Sequence, residues 1–251
     1  MNIEFVEPSH KVLFAGAGKD LIAYAARKCY MSTSNGEDSD IALVKHLLEN
    51  NQQQTEFGWL VVEAECDRGI SHEIVRHRHF TFAQQSQRYV NYNNRGYRFI
   101  LPEGLDEGAI ECMRSSCEAA AHEYERLIGL GMKPQNARYV LPNATATTIV
   151  FGGDVREWRS FFWLRTSRLA HPMMRKLASA ILEDAKKHLP TVFDDMFPGC
   201  DVCVPTPAVE DLGLYKAASL CNVCGFTAPN DWWRKFRHCP GCGRKIERAK
   251  E

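Results

Sequence analysis

Arginine is the side chain best suited to planar, two-pronged gripping of phosphate or carboxylate, and one short stretch of the chain concentrates it. Between Arg76 and Tyr89 stand three arginines (Arg76, Arg78, Arg88), two histidines (His77, His79), Ser86 and three glutamines (Gln84, Gln85, Gln87). A face that needed only solvation would scatter such charge along its length. Clustered fixed cations suit local binding of an anion, and a plain basic surface is the alternative that the residue types alone leave open. Ser86 has the form of a nucleophile, but no adjacent base is evident within the stretch, so it reads as a hydrogen-bonding residue.

A second chemistry lies near the C-terminus. Cys221-x2-Cys224 and Cys239-x2-Cys242, with fourteen residues between the pairs, have the spacing of a four-thiolate zinc site. Gly225, Pro240, Gly241 and Gly243 suit the tight turns that aim two thiolates at one ion. Four thiolates close the coordination sphere, so this Zn2+ is expected to be structural. A module of residues 214–251 is too small to bury a core of its own, and metal binding would supply its folding energy. Its basic tail and Trp232-Trp233 permit nucleic-acid contact without requiring it. Cys200 and Cys203 form a third pair with no partner pair and stay unassigned.

The chain has 251 residues, 45% hydrophobic and 25% charged, and a formal net charge of zero. Those values fit a globular protein of one sizeable domain plus a small appendage, and they disfavour a long polyanion as main partner. No apolar run approaches the length of a membrane span, and Met1-Asn2-Ile3-Glu4 lacks a basic-then-apolar leader pattern. With ten cysteines read as reduced thiols and metal ligands, a cytoplasmic location is expected.

The elements that must position these groups follow from pattern. Residues 1–18 read as strand and turn, Asp20–Cys29 and Ile41–Leu48 as helices, and Glu49–Thr55 as a loop. Trp59–Cys66 is rich in β-branched and aromatic residues and reads as a strand. Asp67-Arg68-Gly69 makes a turn, and Ser71 is the expected cap of a helix running through Ile74 and Val75 into the basic cluster. Gly96–Leu101 reads as a strand, and Glu111–Ile128 as a helix with one apolar stripe. Pro134 opens a short helix that carries Arg138. Thr145–Phe151 is a strand, Gly152-Gly153 a turn, and Asp154 the cap of a helix that delivers Arg156, Arg159 and Arg165. Met173–Leu189 is the last long helix. Helices and strands mix without regular alternation or internal repeat, so the class is α+β.

Arg76-His77-Arg78, seven residues and then Ser86 resembles the signature of the flavin-dependent thymidylate synthases. The likeness runs through Ser71–Phe80 and Ser86–Val90 and returns in order at Ala25–Tyr30, Ala137–Pro142, Asp154–Arg156 and Phe162–Arg165. It covers about residues 10–195, so that a catalytic domain over 1–205 precedes the ribbon-like module. The resemblance implies the mixed-sheet core of that family, a homotetramer with active sites shared between subunits, and reductive methylation of dUMP to dTMP. Methylenetetrahydrofolate would supply the carbon, and FAD reduced by NADPH the hydride. By motif position, Arg76, His77 and Arg78 would line the flavin site, joined by Asp154 and Arg156. Glu73, Arg76, Gln84, Ser86, Arg88 and Arg138 would meet dUMP. Arg165 would stabilise charge on the pyrimidine, and with Ser86 it marks the catalytic end.

Two segments depart from the family's pattern. A histidine-and-glutamate patch expected before the Trp59 strand is replaced by Asn51–Phe57, which keeps Glu56 and has neither histidine. After Arg165 the usual glutamate is absent from Ala170-His171-Pro172-Met173-Met174-Arg175. These departures leave two alternatives. One is a diverged enzyme that hydroxymethylates dUMP or methylates dCMP. The other is a zinc-ribbon binding module on an inactive scaffold.

Overall fold

A computed structural model describes residues 2–196 and, beyond them, the backbone of five short strands. In chain order the elements are β1 (Ile3–Phe5), β2 (Ser9–Gly16), α1 (Lys19–Cys29), α2 (Glu37–Glu49), β3 (Trp59–Asp67), α3 (Arg68–Ile74) and β4 (Thr81–Gln84). Then come α4 (Tyr92–Arg95), β5 (Tyr97–Phe99), α5 (Glu107–Gly129), α6 (Pro134–Ala137), β6 (Ala146–Asp154), α7 (Val155–Arg165) and α8 (Pro172–His188). The last strands are β7 (Val202–Cys203), β8 (Pro205–Asp211), β9 (Lys216–Cys221), β10 (Thr227–Pro229) and β11 (Lys245–Ile246). The mixture is α+β, as the pattern predicts. The chain divides into two compact units, one of Met1–Phe14 with Val61–Gly153, the other of Ala15–Leu60 with Asp154–Glu251.

The first unit is built on a four-stranded sheet in the order β2-β3-β6-β4, with β4 antiparallel to β6. In β3 the residues Val62, Ala64 and Cys66 face inward and their neighbours outward, the period of two that a half-buried strand imposes. A second core lies beneath α5. Cys117, Ala121 and Tyr124 fall on one face of that helix and pack with Tyr92, Tyr97 and Phe99. The three tyrosine rings meet at 5.7–6.0 Å, stacked or edge-on. The helix begins earlier than its apolar stripe suggests, because the Asp106 side chain accepts from Ala109 N at 2.8 Å and caps it.

In the second unit α7 and α8 bury their apolar faces around Trp158, Phe161, Phe162 and Phe193. The Trp158 indole N–H finds Leu60 O at 2.8 Å, which satisfies the one polar atom of a fully buried ring. Arg27 of α1 donates to Asp40 and Ser39 of α2, both at 2.7 Å. Of the stretch expected as a loop over residues 49–55, Glu49 ends α2, residues 50–52 are turn and loop, and a 3-10 turn, Gln53–Phe57, follows. Gly58 follows it because a Cβ there would lie 2.7 Å from the Val155 side chain. Among the backbone strands at the C-terminal end, β8, β9 and β10 form an antiparallel sheet, and β7 pairs with β11. Apart from the backbone of Cys221, the expected zinc ligands Cys221, Cys224, Cys239 and Cys242 lie outside the described residues, as does Cys200.

Three local expectations are corrected. Ser71 is not the cap of α3. Asp67 takes that place, its carboxylate accepting from Ile70 N at 2.9 Å, and Ser71 sits inside the helix. The helix stops at Ile74, so the basic cluster follows it on tight turns. Gly152 and Gly153 do not turn the chain but lie within β6. A Cβ on Gly153 would come within 2.6 Å of the Phe80 ring, so the glycine permits a close approach.

Candidate functional site

The Arg76–Arg78 turn is held from below. Successive backbone bonds, Val75 N to Ser71 O, Arg76 N to Glu73 O, His77 N to Ile74 O and Phe80 N to His77 O, carry the chain off α3 in tight steps. Ile74, His77 and Phe80 are buried, and they recur at three-residue spacing. The Phe80 ring meets Phe151 edge-on at 5.6 Å, and the His77 ring lies 5.9 Å from Phe80. Arg76 and Arg78 alternate with these anchors and are exposed. Among the described residues neither makes a side-chain hydrogen bond or ion pair. His77, expected at the flavin, is therefore also an anchor of the turn that presents its two neighbours.

β4 then pins the following motif to the sheet. Gln84 pairs with Ile149 across β4 and β6. Gln85 continues the pairing, its N–H donating to Thr148 O at 2.9 Å while its side-chain oxygen accepts from Thr148 N at 3.4 Å. At Ser86 the chain turns, as Ser86 Oγ accepts from Arg88 N at 3.2 Å and Ser86 O from Val90 N at 3.0 Å. Ser86 thus builds the turn that aims Arg88, which agrees with its reading as a hydrogen-bonding residue.

Arg88 is exposed and lies over the Tyr89 ring at 5.2 Å. Its Nε donates to Gln135 Oε1 at 3.3 Å. Gln135 belongs to α6, directly ahead of the 3-10 turn Arg138–Val140, so this bond joins the first basic motif to the segment that bears Arg138. Arg138 is exposed and, among the described residues, unpaired. Glu73 lies half-buried on α3. The first unit therefore brings together Glu73, Arg76, His77, Arg78, Gln84, Ser86, Arg88 and Arg138. Gln135 had no signal in the sequence beyond the proline that starts its helix.

In the second unit the arginines of α7 are differently placed. Asp154 caps the helix, its Oδ1 accepting from Glu157 N at 2.9 Å, as expected. Arg156 donates to Glu56 at 2.8 Å and to Asn51 at 3.2 Å, so the segment that lacks the two histidines holds this arginine through other groups. Arg159 is buried, donates to Val192 O at 2.8 Å and grips both oxygens of Asp195 at 2.7 and 2.6 Å. That makes it part of the frame. Arg165 is the last residue of α7, half-buried and engaged. His171 has become the cap of α8, its Nδ1 accepting from Met173 N at 3.3 Å.

The two buried thiols among the described residues are Cys66 and Cys117. Burial, with the Asp67 charge beside it, pushes Cys66 up to about 12, and burial also raises Cys117. Both stay protonated near neutrality and are poor nucleophiles.

Comparison with known proteins fits this arrangement. The pattern of the thymidylate synthase complementing protein family matches residues 12–191. A flavin-dependent thymidylate synthase of Geobacter sulfurreducens is 35% identical over 190 residues, 71% of this chain and 82% of that protein. One from Mycobacterium avium is 31% identical over 205 residues, 72% of this chain and 80% of the other. Among solved structures, a UMP/dUMP methylase, PolB, from Streptomyces cacaoi bound with 5-Br dUMP shares the fold, with a TM-score of 0.67 and 19% identity over 77% of this chain and 96% of that one. On the family match and these identities, the chain belongs to the thymidylate synthase complementing protein family, that of the flavin-dependent thymidylate synthases.

Proposed function

We propose that the chain reductively methylates dUMP to dTMP, with methylenetetrahydrofolate as carbon donor and FAD, reduced by NADPH, as hydride donor. The observation that carries the reading lies in the first unit. Four exposed guanidinium groups, those of Arg76, Arg78, Arg88 and Arg138, stand on turns of one family motif set. Among the described residues none of them has an ion-pair partner. A nucleoside monophosphate is a compact dianion that suits Arg88 and Arg138, and the diphosphate of a flavin dinucleotide suits Arg76 and Arg78. The donor set fits both anions.

In this reading Arg88, Arg138, Ser86 and Gln84 bind the nucleotide, with Glu73 beside it. Arg76, His77, Arg78 and Arg156 serve the flavin. Arg165 stabilises the negative charge that builds on the pyrimidine as it is activated, the kind of fixed cation whose removal costs roughly a hundred- to thousand-fold in turnover. FAD and folate supply the redox and one-carbon chemistry when bound, and the chain supplies orientation and charge. Four copies associate, consistent with the exposed Leu13 and Phe14 of β2. The ribbon cysteines hold one structural zinc ion.

The test is release of tritium from 5-labelled dUMP by purified yellow protein given methylenetetrahydrofolate and NADPH. No release under any condition, or colourless protein that NADPH leaves unchanged, overturns the reading. A narrower second reading has one observation in its favour. Where the family's motif after Arg165 has a glutamate followed by an aliphatic residue and Arg, this chain has Met173-Met174-Arg175, and Met173 is buried in α8. Product masses from dUMP and dCMP decide between methylation and the related transfers.

A further inference from the structure

Gln84 is the last residue of β4, and its amide nitrogen donates to Ser71 Oγ at 2.9 Å and to Thr147 Oγ1 at 3.3 Å. Ser71 on α3 is 0% exposed and Thr147 on β6 is 1% exposed. A hydroxyl has one proton to give, and that of Ser71 goes to Arg68 O at 2.9 Å. Toward Gln84, Ser71 can only accept. A flipped amide would set its carbonyl oxygen against a buried oxygen with no proton to share, which is costly away from water. Proton inventory therefore fixes the amide one way round. Both of its N–H groups are engaged, and Oε1, which accepts no hydrogen bond among the described residues, is what the side chain has left to offer.

We propose that Ser71 is a positioning residue that locks the Gln84 amide, with Thr147 as its second acceptor, so that Gln84 serves the nucleotide as an acceptor only and selects for a hydrogen-bond donor on it. This rests on the nucleotide-binding reading above. A deoxyuridine monophosphate carries two such donors, the 3′-hydroxyl and the ring N3–H. Substituting the one that Gln84 reads removes the partner of Oε1, and substituting the other does not.

The experiment measures binding of dUMP, 2′,3′-dideoxyuridine monophosphate and 3-methyl-dUMP to the flavin-loaded full chain by calorimetry. Wild type is expected to bind one of the two analogues about five- to tenfold more weakly than dUMP, the usual size of one hydrogen bond lost at a ligand. The analogue that weakens identifies which donor Gln84 reads. In Ser71→Ala the amide is free to turn, and the ratio between dUMP and that analogue falls towards one, whereas in the isosteric Thr147→Val Ser71 still only accepts and the ratio holds. Thr147→Ser keeps the ratio. A merely structural loss in Ser71→Ala would weaken all three ligands together and leave the ratio unchanged, which overturns the proposal. Equal binding of both analogues by wild type overturns it as well. Should Ser71→Ala not fold, Ser71→Cys, whose thiol accepts only weakly, decides in its place. A wild-type chain that binds dUMP but whose ratio is unchanged in the Ser71 variant removes only this proposal. One that binds no pyrimidine monophosphate removes the nucleotide reading with it.

Discussion

In the first unit Arg76, Arg78 and Arg138 stand exposed on turns with no side-chain hydrogen bond or ion pair among the described residues, whereas in the second Arg159 is buried against Asp195 and Val192 O. The side chain is the same, and all four lie within the span matched by the family, residues 12–191. What differs is the cost of keeping the charge. An exposed guanidinium stays hydrated and can exchange water for a ligand anion. A buried one loses that hydration, which costs several kcal/mol, and must be paired within the fold. Arg156 falls between them, partly exposed and tied to Glu56 and Asn51. Exposure, more than membership of a motif, thus separates an arginine that is free to bind from one that the frame consumes.

The largest effect expected from breaking this contrast is on Asp195. Its removal by Asp195→Ala leaves the buried Arg159 charge with Val192 O alone, at a cost of about 3 kcal/mol of stability. Arg159→Met is expected to cost less, about 1.5 kcal/mol, because Asp195 is largely exposed and its carboxylate returns to water. Urea unfolding of both variants checks the asymmetry, and equal costs would mean that the pair is not buried as described. In the first unit the effect should appear in binding instead. Arg138→Ala is expected to weaken dUMP binding about thirtyfold, or ~2 kcal/mol, the worth of a charged hydrogen-bonding contact. Its unfolding midpoint should hold to within about 0.5 kcal/mol, since nothing in the described fold leans on Arg138. A large stability loss there would dissolve the distinction between the units.

Much of this was legible in the residues. The stripe of α5, the strand at Trp59, the Asp154 cap and the order of the basic motifs all follow from spacing, because each is settled by groups a few positions apart. What escaped depends on contacts distant in sequence or on a choice between two neighbouring caps. β4 is four residues long and polar at its end, and it exists because β6 pairs with it. Ser71 has the chemistry of a cap, but Asp67 reaches the free N–H groups first. The structural duty of Arg159 needs Asp195, thirty-six residues away. Local pattern reports neither partner.

Gly153 joins the two kinds of information, since a glycine reads as a turn and serves here as a space for Phe80. Gly153→Ala would press a methyl group into that ring, which seats the Arg76–Arg78 turn. About 1.5 kcal/mol of stability should be lost by overpacking. Flavin occupancy, read from the visible spectrum, should fall in the folded fraction too. Lost stability with full occupancy would show that the turn keeps its shape without the Phe80 anchor.

The smallest effect bears on Asp154, which the motif assigns to the flavin and the structure to a helix end. Its Oδ1 is committed to Glu157 N. Asp154→Ala should therefore cost about 1 kcal/mol, and Asp154→Asn only a few tenths, because asparagine caps almost as well. The asparagine variant isolates the charge. If it keeps both the thermal midpoint and the flavin, Asp154 belongs with Arg159 among the groups that hold the frame. If it keeps the midpoint and loses flavin, the carboxylate acts on a ligand as well as a helix. The line between frame and site would then run through a single residue of the second unit.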